Sequence, residues 1–560
     1  MNTILTLHSP QQARVYYATG VWQRETLYSR LYRHAQERAT AWAVRDSRLR
    51  LTWSELLIWV DSLAEALDRD GVRRGDRVCV WLPNRIEGVV TLLACSRNGY
   101  VCNPSLHQNY TVAEIVTLME RIGASALIAQ PGYGADARTN DIFAHATAVA
   151  TLQHLYRVES TGDARAEAPG ARWFPLLDPH AKPAAMPVDD PDKVVYLAFT
   201  SGTTGMPKGV MHSDNTLLAN GRAMVRDWGH TADSVIYSIS PLSHHIAAVG
   251  IEQMLVAGCE LVVNDPPPGV RTLDWIIETG ATYVMGVPTH AIDMIAELRA
   301  RKLGALGRVK VFYMAGSTIP PATARAFLEL GIKPQNVYGM TENGSHQYTL
   351  PTDDEHTITA TCGRACHGYE VKLWHPDNND SEAKAGELGE IGGRGGVLTL
   401  GYFDNQSATE RSFNRHGWFM SGDLGRFDKR GNLEIVGRKK DLIIRGGHNI
   451  YPSRIEDLAK RHYDIRVVAA IPVADERLGE RVCLALITAS GARLAAEDVL
   501  AFLAAEGLSK YDMPEYFIQM DAFPLTASGK VLKRELIEWV KAGRIRPAPV
   551  RWMERRTGGA

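Results

Sequence analysis

Between Thr52 and Leu93 the chain switches between two hydrophobic periods. Thr52-Trp53-Ser54-Glu55 has the form of a capping box, and Leu56, Val60, Leu63 and Leu67 follow it at helical spacing. The short apolar run DRVCVWL (Asp76 to Leu82) predicts a buried strand, and Ile86, Val89, Val90 and Leu93 mark the next helix. Strand–helix alternation predicts an α/β protein with mainly parallel sheets covered by helices. VVYLAF (Val194 to Phe199) predicts a central strand, and KVFYMAG and NVYGM repeat that pattern further on. Arg157 to Lys193, rich in Pro, Ala and Asp, predicts a surface connection. After about Gly437 the pattern changes. RVVAAIPV and RVCLALITA predict strands and AAEDVLAFLAAEGL an amphipathic helix, giving a small α+β unit of about 120 residues, a usual domain size.

Composition narrows the picture by exclusion. The 560 residues are 45% hydrophobic and 22% charged, with a formal net charge of -1. A near-neutral chain gives no bulk electrostatic case for nucleic acid or an acidic membrane surface. No stretch approaches the roughly 20 apolar residues that span a bilayer, and the start has no basic run followed by an apolar core. The seven cysteines are dispersed, which fits a reducing compartment, and the expected location is the cytoplasm. Cys362 and Cys366 lack a second ligand pair at zinc spacing and read as ordinary thiols.

Candidate chemistry begins where VVYLAF runs into Thr200-Ser201-Gly202-Thr203-Thr204-Gly205-Met206-Pro207-Lys208-Gly209. Its glycines let backbone N–H groups converge on an anion, Ser201, Thr203 and Thr204 add hydroxyls, and Lys208 adds positive charge. This is a polyphosphate cradle but not a Walker loop, because Pro207 precedes the lysine and Gly209 stands where Ser or Thr would hold magnesium. The loop, together with NVYGMTEN, GWFMSGDLG, GRKKDLIIRGGHNIYP and PLTASGKVLKREL in that order, resembles the adenylate-forming superfamily. That family comprises acyl- and aryl-CoA synthetases, adenylation domains and firefly-type luciferases.

The resemblance implies a large N-terminal domain, residues 1–439, and a small mobile C-terminal lid, residues 440–560, hinged at Lys440. It implies a nucleotide site of Thr200, Ser201, Gly202, Thr203, Thr204, Gly205, Lys208, Tyr338, Gly339, Thr341, Asp423, Arg438 and Lys530. Tyr338 would stack on adenine, Thr341 would bond the α-phosphate, and Glu342 would hold Mg²⁺, a cation that prefers oxygen ligands. Asp423 would accept from both ribose hydroxyls, with Arg438 beside it. Lys530 would bridge the substrate carboxylate and the α-phosphate where charge builds. Gly446 and Gly447 would pack beside the CoA channel in a second reaction.

PLSHHIAAVG (Pro241 to Gly250) resembles the family motif lining the acid site. His244 would stand at the pocket mouth with a catalytic role; His245, Ile246, Gly316, Ser317, Gly339 and Gly344 would line the acyl pocket. The stretch has no Asp to pair with an α-ammonium and no Asn after His244, so the expected acid is neither an α-amino acid nor a dihydroxybenzoate or salicylate. Small apolar neighbours suit a hydrophobic acid with some bulk, resembling the ligases of alicyclic or medium-chain acids. The resemblance implies an AMP-forming ligase that uses ATP, Mg²⁺ and a carboxylic acid, then CoA. Two alternatives stay open: a stand-alone ligase loading a carrier protein, and a specialised homologue keeping only the thioester-forming half-reaction. A homo-oligomer is compatible with either.

Overall fold

The computed structural model describes residues 4–160, 170–200, 207–316, 319–526 and 530–552. The chain packs into two units. One is Met1–Ile319 with Thr323–Glu370 and Gly393–Phe413, and the other is Pro320–Ala322 with Val371–Gly392 and Asn414–Ala560.

The first unit carries two large sheets. Thr52 caps the helix Trp53–Asp70 with the capping box expected of it, and the helix ends on Gly71 at φ 98°. The strand Arg77–Trp81 and the helix Ile86–Asn98 follow, the strand buried along its whole length. Arg77–Trp81 pairs in parallel with Val101–Asn103 on one side and Ala124–Ala129 on the other, inside a seven-stranded sheet. That sheet ends on the antiparallel pair Val194–Thr200 and Lys208–Ser213. The nine-stranded sheet has a parallel centre in which Val235–Ser238 lies between Glu260–Val263 and Tyr283–Gly286, so the connections cross over with helices on the faces. Trp275, Phe312 and Phe327 anchor a core under this sheet, all nearly fully buried. Each contributes about 1.5–3 kcal/mol of transfer free energy. Among its described residues the expected surface connection Arg157–Lys193 includes a short edge strand, Arg172–Trp173.

The second unit has a five-stranded sheet ending on the antiparallel pair Phe419–Phe427 and Leu433–Arg438, and a six-stranded mixed sheet. The long strands Ile465–Asp475 and Gly479–Thr488 and the helix Ala496–Ala505 fall where the apolar runs predict them. Among the described residues no helix is long and apolar enough to cross a membrane.

Candidate functional site

The root of the phosphate loop is set by strand pairing: Thr200 faces Lys208 across the antiparallel pair. Ser201, Gly202, Thr203, Thr204 and Gly205 lie outside the described residues, as does Ser317. The Lys208 ammonium sits 4.5 Å from the centre of the Tyr402 ring, a cation–π arrangement. The Tyr402 hydroxyl donates to Glu342 Oε1 at 2.9 Å. Burial raises the Tyr402 phenol well above its ordinary value, and the Glu342 charge adds to that, so the phenol keeps its proton and acts as donor. Lys208, Tyr402 and Glu342 thus stand in sequence, cation, ring and carboxylate.

The turn carrying Thr341 and Glu342 is held from two sides. Thr399 N donates to Glu342 O at 2.7 Å, and the Thr399 hydroxyl donates to Met211 O at 2.9 Å. On the other side His212 Nε2 lies 2.7 Å from Thr341 O, and its Nδ1 lies 3.0 Å from Thr216 Oγ1. Burial lowers the His212 imidazole to about 4, so it is neutral near pH 7. A carbonyl only accepts, which places the single imidazole proton on Nε2. Met211 and His212 belong to the strand that carries Lys208, so one strand positions both the loop lysine and the Thr341–Glu342 turn.

Tyr338 is half-buried, with its ring edge-on to His346 at 5.3 Å. His346 is buried, lowered to about 3, and packs 4.5 Å from Tyr369. Gly339 and Gly344 pinch the hairpin between Lys333–Met340 and Gly344–Tyr348. A Cβ at Gly339 would fall 1.8 Å from Gly344 O, and Gly344 has φ +57° with Asn220 Oδ1 2.7 Å from where its Cβ would be. These glycines serve close backbone approach; the place a side chain would take at Gly339 is occupied by backbone. Gly316 has φ +91°, and the nearest atom to a Cβ there is Val287 Cγ1 at 3.7 Å.

The two adjacent histidines separate in role. His244 is the N-cap of the helix His245–Ala257, its Nδ1 accepting from Ile246 N at 3.3 Å. His245 turns inward. It stacks on His212 with centroids 5.4 Å apart and shares a 3.3 Å hydrogen bond with the Tyr196 hydroxyl. Burial holds it far below the usual imidazole range. Ile246 is buried beside it.

In the second unit Asp423 and Arg438 are cross-strand partners, paired at 3.4 Å between Arg438 Nε and Asp423 Oδ1. Ser421, bonded to Ile391 O at 2.8 Å, also receives Asp423 N at 3.1 Å, which orients the aspartate. Lys440 occupies the 3₁₀ turn Lys439–Asp441, beside the 2.7 Å pair of Lys439 with Glu390. Gly446 and Gly447, at φ 58° and 84°, form the two-residue turn between Ile443–Arg445 and His448–Ile450. Two positive φ values in a two-residue hairpin mark a type I′ turn. Lys530 is exposed and closes a loop in which Thr526 N donates to Lys530 O at 2.7 Å and Lys530 N donates to Thr526 Oγ1 at 2.9 Å.

Sequence reasoning missed Tyr402, Thr399 and His212. His212 lies in an apolar strand, and Thr399 and Tyr402 lie close to the apolar Val397, Leu398 and Leu400, which does not distinguish them from core.

This arrangement belongs to a known family. Residues 31–403 match the AMP-binding enzyme model and residues 454–530 match the AMP-binding enzyme C-terminal domain. The chain belongs to the AMP-binding enzyme family and is an acyl-CoA-synthetase-type ligase. It is 30% identical over 536 residues to a medium-chain fatty-acid–CoA ligase of Escherichia coli, covering 95% of this chain and 93% of that one. A 3-[(3aS,4S,7aS)-7a-methyl-1,5-dioxo-octahydro-1H-inden-4-yl]propanoyl:CoA ligase of Rhodococcus jostii is 32% identical, covering 92% and 99%. A salicylyl-CoA synthase / salicylate adenylyltransferase of a Streptomyces species is 30% identical, covering 94% and 96%. Among solved structures, ATP-bound MatB from Rhodopseudomonas palustris superposes with a TM-score of 0.78 at 26% identity, covering 92% of this chain and 99% of that one.

Proposed function

We propose that the chain activates a hydrophobic, non-amino carboxylic acid with ATP and hands the acyl group to CoA. A carboxylate oxygen attacks the α-phosphorus, the bond to the bridging oxygen breaks, and pyrophosphate leaves. The CoA sulfur then attacks the acyl carbon, the thiol proton passes to solvent, and AMP leaves. The observation that carries this reading is the Lys208–Tyr402–Glu342 arrangement at the root of the phosphate loop, where one buried phenol takes the cation over its ring and the carboxylate on its hydroxyl.

Lys208 and the loop hydroxyls bind the phosphates, Thr341 bonds the α-phosphate, Tyr338 covers the base, and Asp423 with Arg438 holds the ribose. Lys530 brings its ammonium to the attacking carboxylate and α-phosphate. Glu342, a carboxylate held in place by the Tyr402 hydroxyl, fits Mg²⁺, an ion that binds through one or two carboxylates plus substrate phosphates and waters. When bound, it supplies charge neutralisation on the leaving pyrophosphate. Residues 440–560 act as a lid turning at Lys440, with the Gly446–Gly447 hairpin facing the site for the CoA step, in the cytoplasm.

The relatives acting on a medium-chain acid and on a fused bicyclic propanoate support the substrate class. The test is acid-dependent pyrophosphate release over a panel of alkanoic, alicyclic, aryl and α-amino acids, with and without CoA. The expected result is release with apolar acids and thioester only when CoA is present. Leucine or salicylate turning over faster than every apolar acid overturns the substrate reading, and the salicylate-acting relative makes that arm a stringent one.

A further inference from the structure

The helix His245–Ala257 carries a carboxyl that the proposed chemistry does not use. Glu252 is 1% exposed, and neither of its oxygens has a hydrogen-bond partner among the described residues. Burial raises its carboxyl well above the ordinary range, so it is a neutral acid with a proton to donate. Burying such a group unpartnered costs about 1–3 kcal/mol. Leucine would fill a similar volume without that penalty, as Leu255 and Met254 do beside it.

The surroundings say where this acid lies. Glu252 is seven residues, about two turns, beyond His245, and therefore on the same helix face. The Tyr196 hydroxyl, bonded to His245, and the Tyr313 hydroxyl, bonded to Ser345 at 2.8 Å, are both within electrostatic reach of it. The neighbouring helix Asp214–Trp228 makes room for it with a glycine: a Cβ at Gly221 would fall 2.8 Å from Glu252 Cβ. The preceding residue, Asn220, holds Ser345 by two 3.0 Å bonds, to its carbonyl and from its N–H. His245 and Gly344, which adjoins Ser345, are two of the residues expected to line the acyl pocket. Glu252 lies about 10 Å along the helix from His245 at 1.5 Å per residue.

We propose that Glu252 reads a carbonyl or hydroxyl oxygen at the far end of the acid, donating its proton to it. The inference rests on the acyl-pocket reading above. It selects, within the hydrophobic acids, those that carry an oxygen at the end remote from the carboxyl. A fused bicyclic keto acid and a long chain ending in a ketone both satisfy this. A pure hydrocarbon tail leaves the carboxyl unpaired, and a site built to bond a polar group discriminates against an analogue lacking it.

The experiment uses the full-length enzyme with two non-hydrolysable acyl-adenylate mimics, decanoyl and 9-oxodecanoyl adenosine sulfamate. Affinity is measured by calorimetry, and pyrophosphate release is measured with the two free acids. Wild type is expected to bind the oxo form at least about tenfold more tightly, one hydrogen bond's worth at the usual conversion. Glu252→Gln keeps part of that preference through its amide N–H. Glu252→Leu reverses it while melting at the wild-type temperature or above, which shows that the fold is intact. Equal affinity of wild type for the two mimics overturns the inference, as does a preference that survives in Glu252→Leu, because a trapped water or a purely structural acid gives those results. Discrimination without pyrophosphate release from any acid refutes the adenylation reading and leaves the pocket assignment standing. Release without discrimination does the reverse, and binding of neither mimic overturns both.

Discussion

At the scale of single residues, the site depends on who holds whom. Glu342 is oriented by a hydrogen bond from Tyr402, and a hydrogen bond to a charged group is worth about 1.5–3 kcal/mol. Tyr402→Phe removes it while keeping the ring beneath the Lys208 ammonium. The expected outcome is a loss of about tenfold or more in divalent-metal affinity, read by Mn²⁺ titration in the presence of ATP; Glu342→Gln loses more. If Tyr402→Phe binds Mn²⁺ as wild type does, the phenol is only packing. Lys530 acts on a different pair of atoms. Lys530→Ala is expected to slow acyl-adenylate formation about 10²–10³-fold, the usual loss of one preorganised charge contact. The same variant, given synthetic acyl-adenylate and CoA, is expected to form thioester at near the wild-type rate. Equal damage to both half-reactions would remove the lysine from its assigned step.

Among the elements, the Gly446–Gly447 hairpin carries the sharpest prediction. Both glycines occupy the left-handed region, and the space around Gly447 is open within 4 Å. A side chain there meets no clash, so what it adds is backbone strain together with bulk on the hairpin tip. Asn tolerates a positive φ far better than a β-branched residue. Gly447→Asn is expected to keep the stability of the protein, whereas Gly447→Val loses on the order of 1 kcal/mol or more. If the tip faces the CoA channel, both slow thioester formation and spare pyrophosphate release. A Gly447→Asn variant with both steps intact would leave the turn with a folding role alone. The strand Lys208–Ser213 is the other decisive element, since its alternation sends Lys208 to the loop root and His212 to the Thr341 turn.

Over the whole molecule, buried neutral histidines set the acid limit. Burial lowers His212 and His230 to about 4 and His346 to about 3, against an ordinary 6.5 in the unfolded chain. Between those values the unfolded state binds more protons than the folded one, so stability is full above pH 6.5 and falls as pH drops towards 4. Each such histidine contributes a slope of about 1.4 kcal/mol per pH unit in that window. Urea denaturation at pH 7, 6 and 5 is expected to show stability falling by more than one histidine's slope per unit. A flat profile down to pH 5 would mean that these imidazoles are not buried neutral. A second reading comes from His230→Phe, which keeps an aromatic ring against Tyr283 and is expected to flatten part of the slope.

Much of this was legible before any coordinates. The switch between helical and strand periods placed the capped helix Trp53–Asp70, the buried strands and the small C-terminal sheet, because burial of one face is a local constraint that each segment carries in its own pattern. The loop chemistry and the motif residues were legible for the same reason: a phosphate cradle or a hairpin turn is made by neighbours in the chain. Partners from distant segments were not. Tyr402 meets Glu342 from 60 positions away, and His212 meets Thr341 from 129. Sequence likewise could not separate His244, a helix cap, from His245, a core residue, since they differ by a turn of about 100° that matters only against the packed sheet. Glu252 read as one polar residue in an apolar helix. Only the approach of a second helix at Gly221, and of the strands bearing Tyr196 and Tyr313, made it a buried acid, because burial and the lack of a partner are properties of the packed assembly of elements and of no segment alone.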